Sequence, residues 1–167
     1  MITYTATDAH SKKPSAQDQL RSQIQELVQR HQDEKSKLSI TFVGHSLGGA
    51  LAILSAFDIV EHGLSRNLPV CAVVFGCPKI GNKAFFDRIK EKLPTLKILS
   101  VKNKGDWVPT LPPDTPDSWW VQLPWLSSYV DNTAHAVLQV DFNKSPYLRR
   151  LNSLDVGEQH DLQSLLH

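Results

Sequence analysis

A five-residue motif at positions 44–48, with the sequence Gly-His-Ser-Leu-Gly, constrains the fold more than any other feature of the chain. An alternating run of apolar and polar residues, 38–43, precedes it, and a long apolar run, 47–54, follows it. These patterns predict a strand, a sharp turn and a helix. The glycines on either side of Ser46 allow a steep turn without a Cβ clash. Such a turn exposes the serine hydroxyl over the end of a sheet and aims the Leu47 N–H at whatever Ser46 attacks.

The composition limits the chain to at most one ordinary soluble domain. Of its 167 residues, 41% are hydrophobic and 21% are charged, as in a typical globular protein. The formal net charge of +1 gives no electrostatic reason to expect nucleic acid or an anionic membrane surface as a partner. The apolar stretches 47–60 and 70–77 are too short or too interrupted to span a bilayer. Residues 1–8 lack the basic start and apolar centre of a secretory signal, so we expect a cytoplasmic protein.

The two cysteines, Cys71 and Cys77, lie on one segment that is expected to be extended. Six extended residues span roughly 20 Å, which is too far for a disulfide between them. We therefore expect two buried thiols in a reducing compartment. The histidines and cysteines lack metal-ligand spacing, and the sequence contains no phosphate-binding glycine loop, so neither a metal site nor a cofactor site is predicted.

Strands and helices are predicted to alternate along most of the chain. Ser15 is expected to cap a helix over 16–31 that has one apolar face. Gly63 is expected to end the helix over 47–62. The other predicted elements are strands at 38–43, 70–75, 96–101 and 136–142, a helix over 83–93 capped by Asn82, and the start of a final helix near Glu158. This alternation predicts an α/β fold with right-handed crossovers, in which a parallel sheet has helices on both faces.

A serine hydroxyl is a poor nucleophile at neutral pH, so Ser46 needs a base, and the base needs an orienting acid. In hydrolases built on such a turn, the acid and then a histidine follow the serine along the chain. Asp106 lies just after the strand at 96–101, where the acid is expected, although a Gly-Asp pair is equally typical of a solvated turn. Asp114 and Asp117 are further acidic residues in the same loop.

Three histidines follow Asp106 and are candidates for the base: His135, His160 and His167. His160 precedes an apolar helical start, and a helix N-terminus disfavours a positive charge, which would keep this imidazole neutral and basic. His135 lies in a polar stretch before a strand, and His167 is the last residue. His160 is therefore favoured, with His135 as the alternative.

Several stretches of the chain resemble the class 3 (fungal lipase-like) triacylglycerol lipases, especially their plant phospholipase A(1) branch. These stretches occur in family order: 44–52, 74–82, 101–109, 141–148 and 160–167. The resemblance implies an α/β-hydrolase fold that needs no cofactor. Carried over residue by residue, it makes Ser46 the nucleophile, Asp106 the orienting acid and His160 the base, with the Leu47 N–H as an oxyanion donor. It also implies a glycerolipid substrate, cleaved at the sn-1 ester of a phospholipid or galactolipid.

Family members are longer at both ends, so residues 1–167 are expected to form a partial domain. We expect this domain to lack the N-terminal strands, the loop with the second oxyanion donor and the end of the last helix. The leading hypothesis is a lipid acyl hydrolase. The alternative is a catalytically inactive, truncated lipase-like protein that acts as a lipid-binding or interaction module or has no function.

Two further features have open interpretations. Trp119, Trp120, Trp125 and Leu126 form an apolar cluster that either meets lipid in peripheral membrane contact or covers the core under a long loop. His45, inside the motif, is expected either to be a packing residue or to contact the residues that carry the chemistry.

Overall fold

The structure is a computed structural model that describes residues 14–92, 94–112, 136–140, 157, 160 and 161. Its described strands are β1 (Ile40–His45), β2 (Val70–Phe75), β3 (Leu96–Asn103) and β4 (Ala136–Val140). Its helices are α1 (Ala16–Arg30), α2 (Leu47–Glu61) and α3 (Lys83–Asp87), the last continuing as a π-helical turn over Arg88–Lys92. Short 3-10 turns occupy Gln32–Lys37 and Val108–Thr110. The alternation predicted from the sequence is therefore confirmed for the described elements.

The four described strands form one parallel sheet in the order β1-β2-β3-β4. The register pairs Ile40 with Val70 and Val70 with Leu96. Because all strands run the same way, their carboxyl ends meet at one edge of the sheet, where His45, Phe75 and Asn103 lie. Ligand sites of open parallel sheets lie beyond this edge.

The predicted boundary of β1 is two residues too early. The ladder begins where Ile40 N donates to Pro69 O at 2.9 Å, and β2 itself begins at Val70, since Pro69 has no N–H to contribute. In contrast, β3 continues two residues past its predicted end, to Asn103. The residues predicted to extend β4 to position 142 lie outside the described part.

Helix α2 packs directly against the sheet and supplies much of the core. Its buried residues are mostly small, which allows the helix to approach the strands closely. Ile53 and Ile59 fill the remaining space, and burial of a side chain of this size stabilises the fold by about 1.5–3 kcal/mol. The core cluster comprises Ala50, Ala52, Ile53, Ala56, Val70, Ala72, Val74, Cys77, Ile80, Ile89, Leu96 and Ile98.

The predicted caps of the three helices are present. Ser15 Oγ accepts from Asp18 N at 3.1 Å, and Asn82 Oδ1 accepts from Phe85 N at 3.0 Å. Gly63 follows the cap residue of α2 at φ +65°, where its N–H donates to Val60 O at 3.0 Å. A left-handed residue in this position ends a helix by satisfying its last carbonyls.

Helices α1 and α3 both contact α2, so these three helices form one layer. The rings of Phe57 and Phe85 lie 4.7 Å apart between α2 and α3. Gly157 and His160 are also helical, whereas Asp161 is not. This corrects the expectation that His160 precedes the start of the final helix. Within the described ranges, no helix is long and apolar enough to cross a bilayer.

Candidate active site

Ser46 lies at the sharp turn between β1 and α2, as the motif predicts. Its backbone has φ +54° and ψ −128°, a left-handed conformation that costs a non-glycine residue about 1–3 kcal/mol. The turn is held because Ser46 N donates to Phe75 O at 2.9 Å and Gly49 N donates to Ser46 O at 2.9 Å. Sheet and helix together therefore fix the serine at the carboxyl edge of the sheet.

The two glycines that flank Ser46 have different roles. A Cβ on Gly44 would overlap Gly48 O and lie 2.7 Å from Gly49 N, so only glycine fits where strand and helix cross. A Cβ on Gly48 would meet nothing within 4 Å. The expectation that both glycines relieve a clash is thus correct for Gly44 and wrong for Gly48. At this turn Gly49 is also tightly packed, since a Cβ there would lie 3.0 Å from Cys77 Cβ.

A chain of hydrogen bonds joins Ser46, His160 and Asp106. His160 Nε2 lies 2.8 Å from Ser46 Oγ, and His160 Nδ1 lies 2.8 Å from Asp106 Oδ2. An ionised carboxylate only accepts, so Nδ1 carries the proton and donates to Asp106. In the neutral imidazole Nε2 is then an acceptor, and the Ser46 hydroxyl donates to it. The structure thus brings together the three residues that the sequence singled out.

Hydrogen bonds to Asn103 and Val108 hold Asp106 in place independently of its contact with His160. Its N–H donates to Asn103 O at 3.1 Å, at the end of β3. Its Oδ1 accepts from Val108 N at 2.9 Å, which leaves Oδ2 for His160. The Asp106 side chain is fully buried, whereas 19% of the His160 side chain is exposed. The alternative interpretation of Asp106 as a solvated turn residue is therefore wrong.

The sequence did not single out Gly76, which the site requires. Gly76 follows β2 at φ +53°, and its N–H donates to Val101 O at 2.9 Å. A Cβ here would lie 2.8 Å from Asp106 Oδ2 and 2.9 Å from His160 Cε1. The available signal was a glycine placed directly after a buried parallel strand, at the edge where ligand sites form.

His45 contacts His160, which the sequence left open. Its Nε2 lies 2.7 Å from His160 O, and the two ring centroids are 4.6 Å apart with 33° between their planes. Both side chains are partly buried. The sequence left open whether His45 packs in the fold or supports the site residues, and the structure shows it in contact with both the backbone and the ring of His160.

Both cysteines are free, and Cys77 is the more buried. Burial raises the pKa of the Cys77 thiol to about 12, although the positive charge of Lys102 opposes this shift. Cys77 is therefore protonated at neutral pH and is a poor nucleophile. The expectation of two buried thiols is therefore correct for Cys77, whereas Cys71 is only partly buried.

Leu47 is the first residue of α2, and 69% of it is exposed beside Ser46. A first-turn N–H has no partner within its own helix, so the Leu47 N–H is positioned to donate outwards. The other candidates lie outside the described residues: Asp114, Asp117, His135, His167, Trp119, Trp120, Trp125 and Leu126. Across the part of the chain that the structure describes, no cluster of three or more His, Cys, Asp or Glu residues could hold a metal ion.

Comparison with known proteins gives the family. Residues 2–115 match the family model described as lipase (class 3). The chain belongs to the class 3 lipase family. It is 40% identical over 173 residues to phospholipase A1-II 5 of Oryza sativa subsp. indica, covering 99% of this chain and 33% of that protein. It is also 40% identical over 169 residues to phospholipase A1-IIdelta of Arabidopsis thaliana, covering 100% of this chain and 37% of that protein.

The solved structure of a Rhizomucor miehei lipase propeptide complex is similar to this class 3 lipase chain. The identity is 29% and the TM-score is 0.50, over 59% of this chain and 30% of that chain. The predicted α/β-hydrolase fold with its parallel sheet is confirmed. The chain spans about a third of the length of the plant relatives named above, at 33% and 37%.

Proposed function

We propose that this class 3 lipase chain is a serine-type carboxylic ester hydrolase that cleaves glycerolipids. The observation that supports this most directly is the unbroken series of hydrogen bonds from Ser46 Oγ through His160 to Asp106, each 2.8 Å long. A nucleophile within hydrogen-bond reach of a base, and a base oriented by a buried acid, is the arrangement that activates a serine.

In the proposed first half-reaction, Ser46 Oγ attacks the ester carbonyl carbon while its proton passes to His160 Nε2. The carbonyl electrons move to oxygen and form a tetrahedral oxyanion. Asp106 stabilises the imidazolium through the Nδ1–H bond. The intermediate collapses when the carbon–oxygen bond to the alcohol breaks, and His160 Nε2 protonates the departing alcohol. The acyl group is left on Ser46.

In the second half-reaction, His160 Nε2 takes a proton from water, and the hydroxyl oxygen attacks the acyl carbon. A second oxyanion forms and collapses, which releases the fatty acid and returns the proton to Ser46. Water is the only co-substrate. The Leu47 N–H is proposed as one donor to both oxyanions, since it begins α2 directly after the nucleophile.

The proposed substrate follows from the family. Two relatives that align with nearly all of this chain bear the name phospholipase A1. We therefore propose the sn-1 carboxylic ester of a glycerolipid, in a phospholipid or a galactolipid, as the bond that is cleaved.

We also propose peripheral contact with a lipid surface through apolar side chains next to the site. Leu47 is 69% exposed, Leu51 one helical turn later is 44% exposed, and Trp107 directly after Asp106 is 48% exposed. Exposed apolar groups beside a site are suited to an apolar partner, and tryptophan favours membrane interfaces. The test is vesicle co-sedimentation, in which Trp107→Ser should bind more weakly than wild type. Equal binding would remove Trp107 from the contact.

The central experiment uses a fluorophosphonate probe, which phosphonylates an activated serine with loss of fluoride. Wild type should be labelled, and Ser46→Ala and His160→Ala should not. Ser39→Ala and His31→Ala are matched controls, because both residues are exposed and lie away from the site. Turnover of a short-chain nitrophenyl ester and of a phospholipid should be lost in the same two variants. Equal labelling of Ser46→Ala would refute the assignment, and a folded wild type without labelling or turnover would favour the inactive alternative.

A further inference from the structure

We infer that His45 is a positioning residue that holds His160 between Ser46 and Asp106, an inference that rests on the function proposed above. His45 Nε2 lies 2.7 Å from the main-chain oxygen of His160. A carbonyl oxygen only accepts, so His45 Nε2 carries a proton and donates it to this bond. The bond therefore anchors the backbone of the proposed base, while Ser46 and Asp106 engage only its side chain.

The anchor is rigid because of where His45 lies. It is the last residue of β1, and its register partner on β2 is Phe75. The residue after it, Ser46, is held by its own bond to Phe75 O at 2.9 Å. One short segment of the sheet thus supplies both the nucleophile and the group that fixes the main chain of the base.

His160 needs such an anchor because it comes from a distant part of the chain. It lies 114 residues after Ser46 and 54 residues after Asp106. Two side-chain hydrogen bonds leave the imidazole free to tilt about the line between them. A third bond, to the main chain, restricts that tilt, and the His45 ring at 4.6 Å restricts it further. A displacement of about 1 Å in a catalytic group can lower a rate by about a hundredfold.

Substitutions at His45 separate the donor from the ring. The Nε2 of glutamine is three bonds from Cβ, as in histidine, so His45→Gln keeps the donor and loses the ring. Asparagine is one bond shorter, so His45→Asn is an equally polar variant that falls short of His160 O. His45→Phe keeps a ring and loses the donor. His31→Phe, at an exposed position after α1, is the control for the bulk of phenylalanine.

The activity test compares kcat and KM on a short-chain nitrophenyl ester. In His45→Asn and His45→Phe, kcat should fall about tenfold to a hundredfold while KM changes little, since His45 contacts the base rather than the substrate. His45→Gln should recover most of kcat, and His31→Phe should match wild type. An unchanged kcat in His45→Asn, or a His45→Gln variant as slow as His45→Asn, would overturn the inference.

A second readout does not depend on turnover. Imidazole nitrogen NMR on wild type should show His160 as a single tautomer with its proton on Nδ1. In folded His45→Asn that population should decrease and its signals broaden, and in His45→Gln it should return. Identical His160 spectra in wild type and His45→Asn would refute the role of His45 whether or not the protein is active. Absence of Ser46 labelling in wild type would instead count against the proposed function, so the two failures are distinguishable.

Discussion

The backbone of Ser46 is fixed by the segments on either side of it, β1 and α2, with one added hydrogen bond to Phe75 on the neighbouring strand. The Asp106–His160 pair is assembled differently, from residues 54 positions apart. Asp106 follows β3 and therefore lies at the carboxyl edge of the sheet. His160, 54 residues later in the chain, lies at the same edge, and the two side chains make contact there. A local sequence pattern is sufficient to form the turn at Ser46, whereas the Asp106–His160 pair depends on the topology of the whole sheet.

The difference changes how each region responds to substitution. A side chain added where β1 and α2 cross overlaps the backbone there, and it therefore lowers the stability of the fold. A change at the Asp106–His160 pair leaves the sheet intact and acts on the orientation of one imidazole. A side chain added where β1 and α2 cross should therefore alter mainly stability, and a change at the Asp106–His160 pair should alter mainly rate.

The largest expected effect is that of Asp106→Asn. Asparagine retains the shape of the side chain but can donate to His160 Nδ1, which favours the wrong tautomer of the base. A loss of this kind lowers turnover by about 10⁴-fold. The measurement is kcat on a short-chain ester, together with a melting curve to verify folding.

Asp161→Asn is the matched control for Asp106→Asn. Asp161 is the residue after His160 and is exposed, so its variant should keep nearly the wild-type rate. A near-normal rate in Asp106→Asn would mean that this carboxylate does not orient the base, and Asp114 or Asp117 would become the acids to examine.

The same contrast explains what the sequence could predict. The strand-turn-helix pattern around Ser46 was sufficient to place the turn, because alternation, a glycine and an apolar run are all local signals. Chain order and the preceding strand favour Asp106, and the apolar residues that follow His160 favour it as the base, but nothing local distinguishes Asp106 from a solvated turn residue. In the structure, the Asp106 carboxylate is buried and accepts a hydrogen bond on each oxygen, which excludes a solvated turn.

Other features could not be inferred because they exist only between distant segments. In the sequence, Gly76 is an ordinary strand end, and only the fold places its Cβ position against Asp106 and His160. Gly48 belongs to the motif, yet nothing lies within 4 Å of its Cβ position. The start of β1 depended on Pro69 of the neighbouring segment, which a single-strand pattern does not contain.

The second prediction compares the two motif glycines. Gly44→Ala places a Cβ against the backbone at Gly48 and Gly49, and it should destabilise the protein by about 3 kcal/mol or more. Gly48→Ala meets no atom within 4 Å in the first turn of α2, and it should be neutral or stabilising by up to about 1 kcal/mol, because alanine favours helix. Urea unfolding of both variants measures this. Equal destabilisation would mean that the turn itself, and not the crossing, requires the glycines.

The third prediction concerns Gly76. Alanine there is expected to push Asp106 and His160 apart and to lower kcat about a hundredfold. The positive φ adds a stability cost of about 1–2 kcal/mol. Gly63→Ala is the matched control, since Gly63 has φ +65° with open space around its Cβ position. Both variants should lose the stability that the positive φ costs, Gly76→Ala should lose more because its Cβ meets Asp106 and His160, and only Gly76→Ala should lose rate. An equal kcat in the two variants would contradict the proposed crowding.

The smallest effect on turnover is expected from substitution of Asp58, which forms long-range contacts with α1 on which no proposed chemical step depends. Asp58 is buried on α2 and accepts from Arg21 Nε at 2.7 Å and from Gln17 Nε2 at 2.7 Å, both on α1. It serves as a reference for the Asp106–His160 pair. The two contacts join similarly distant residues, 37 positions apart for Arg21 and Asp58 and 54 for Asp106 and His160.

Burial raises the pKa of Asp58, but hydrogen bonds from Arg21 and Gln17 and the nearby positive charges outweigh it and hold the pKa below its ordinary value of 3.8. A carboxyl whose pKa is lower in the folded state stabilises the protein fully at pH values above its unfolded-state pKa, and it loses that contribution as the pH falls through its folded-state pKa.

Asp58→Asn should therefore lower the free energy of unfolding by about 1–3 kcal/mol at neutral pH, and the difference from wild type should shrink below pH 3.8. The kcat of the folded variant should stay within about twofold of wild type, as should that of the exposed control Asp33→Asn. A difference in stability that persists unchanged at low pH would show that the carboxylate charge is not what joins α1 to α2, and a large loss of kcat would show that this contact and the Asp106–His160 pair are coupled.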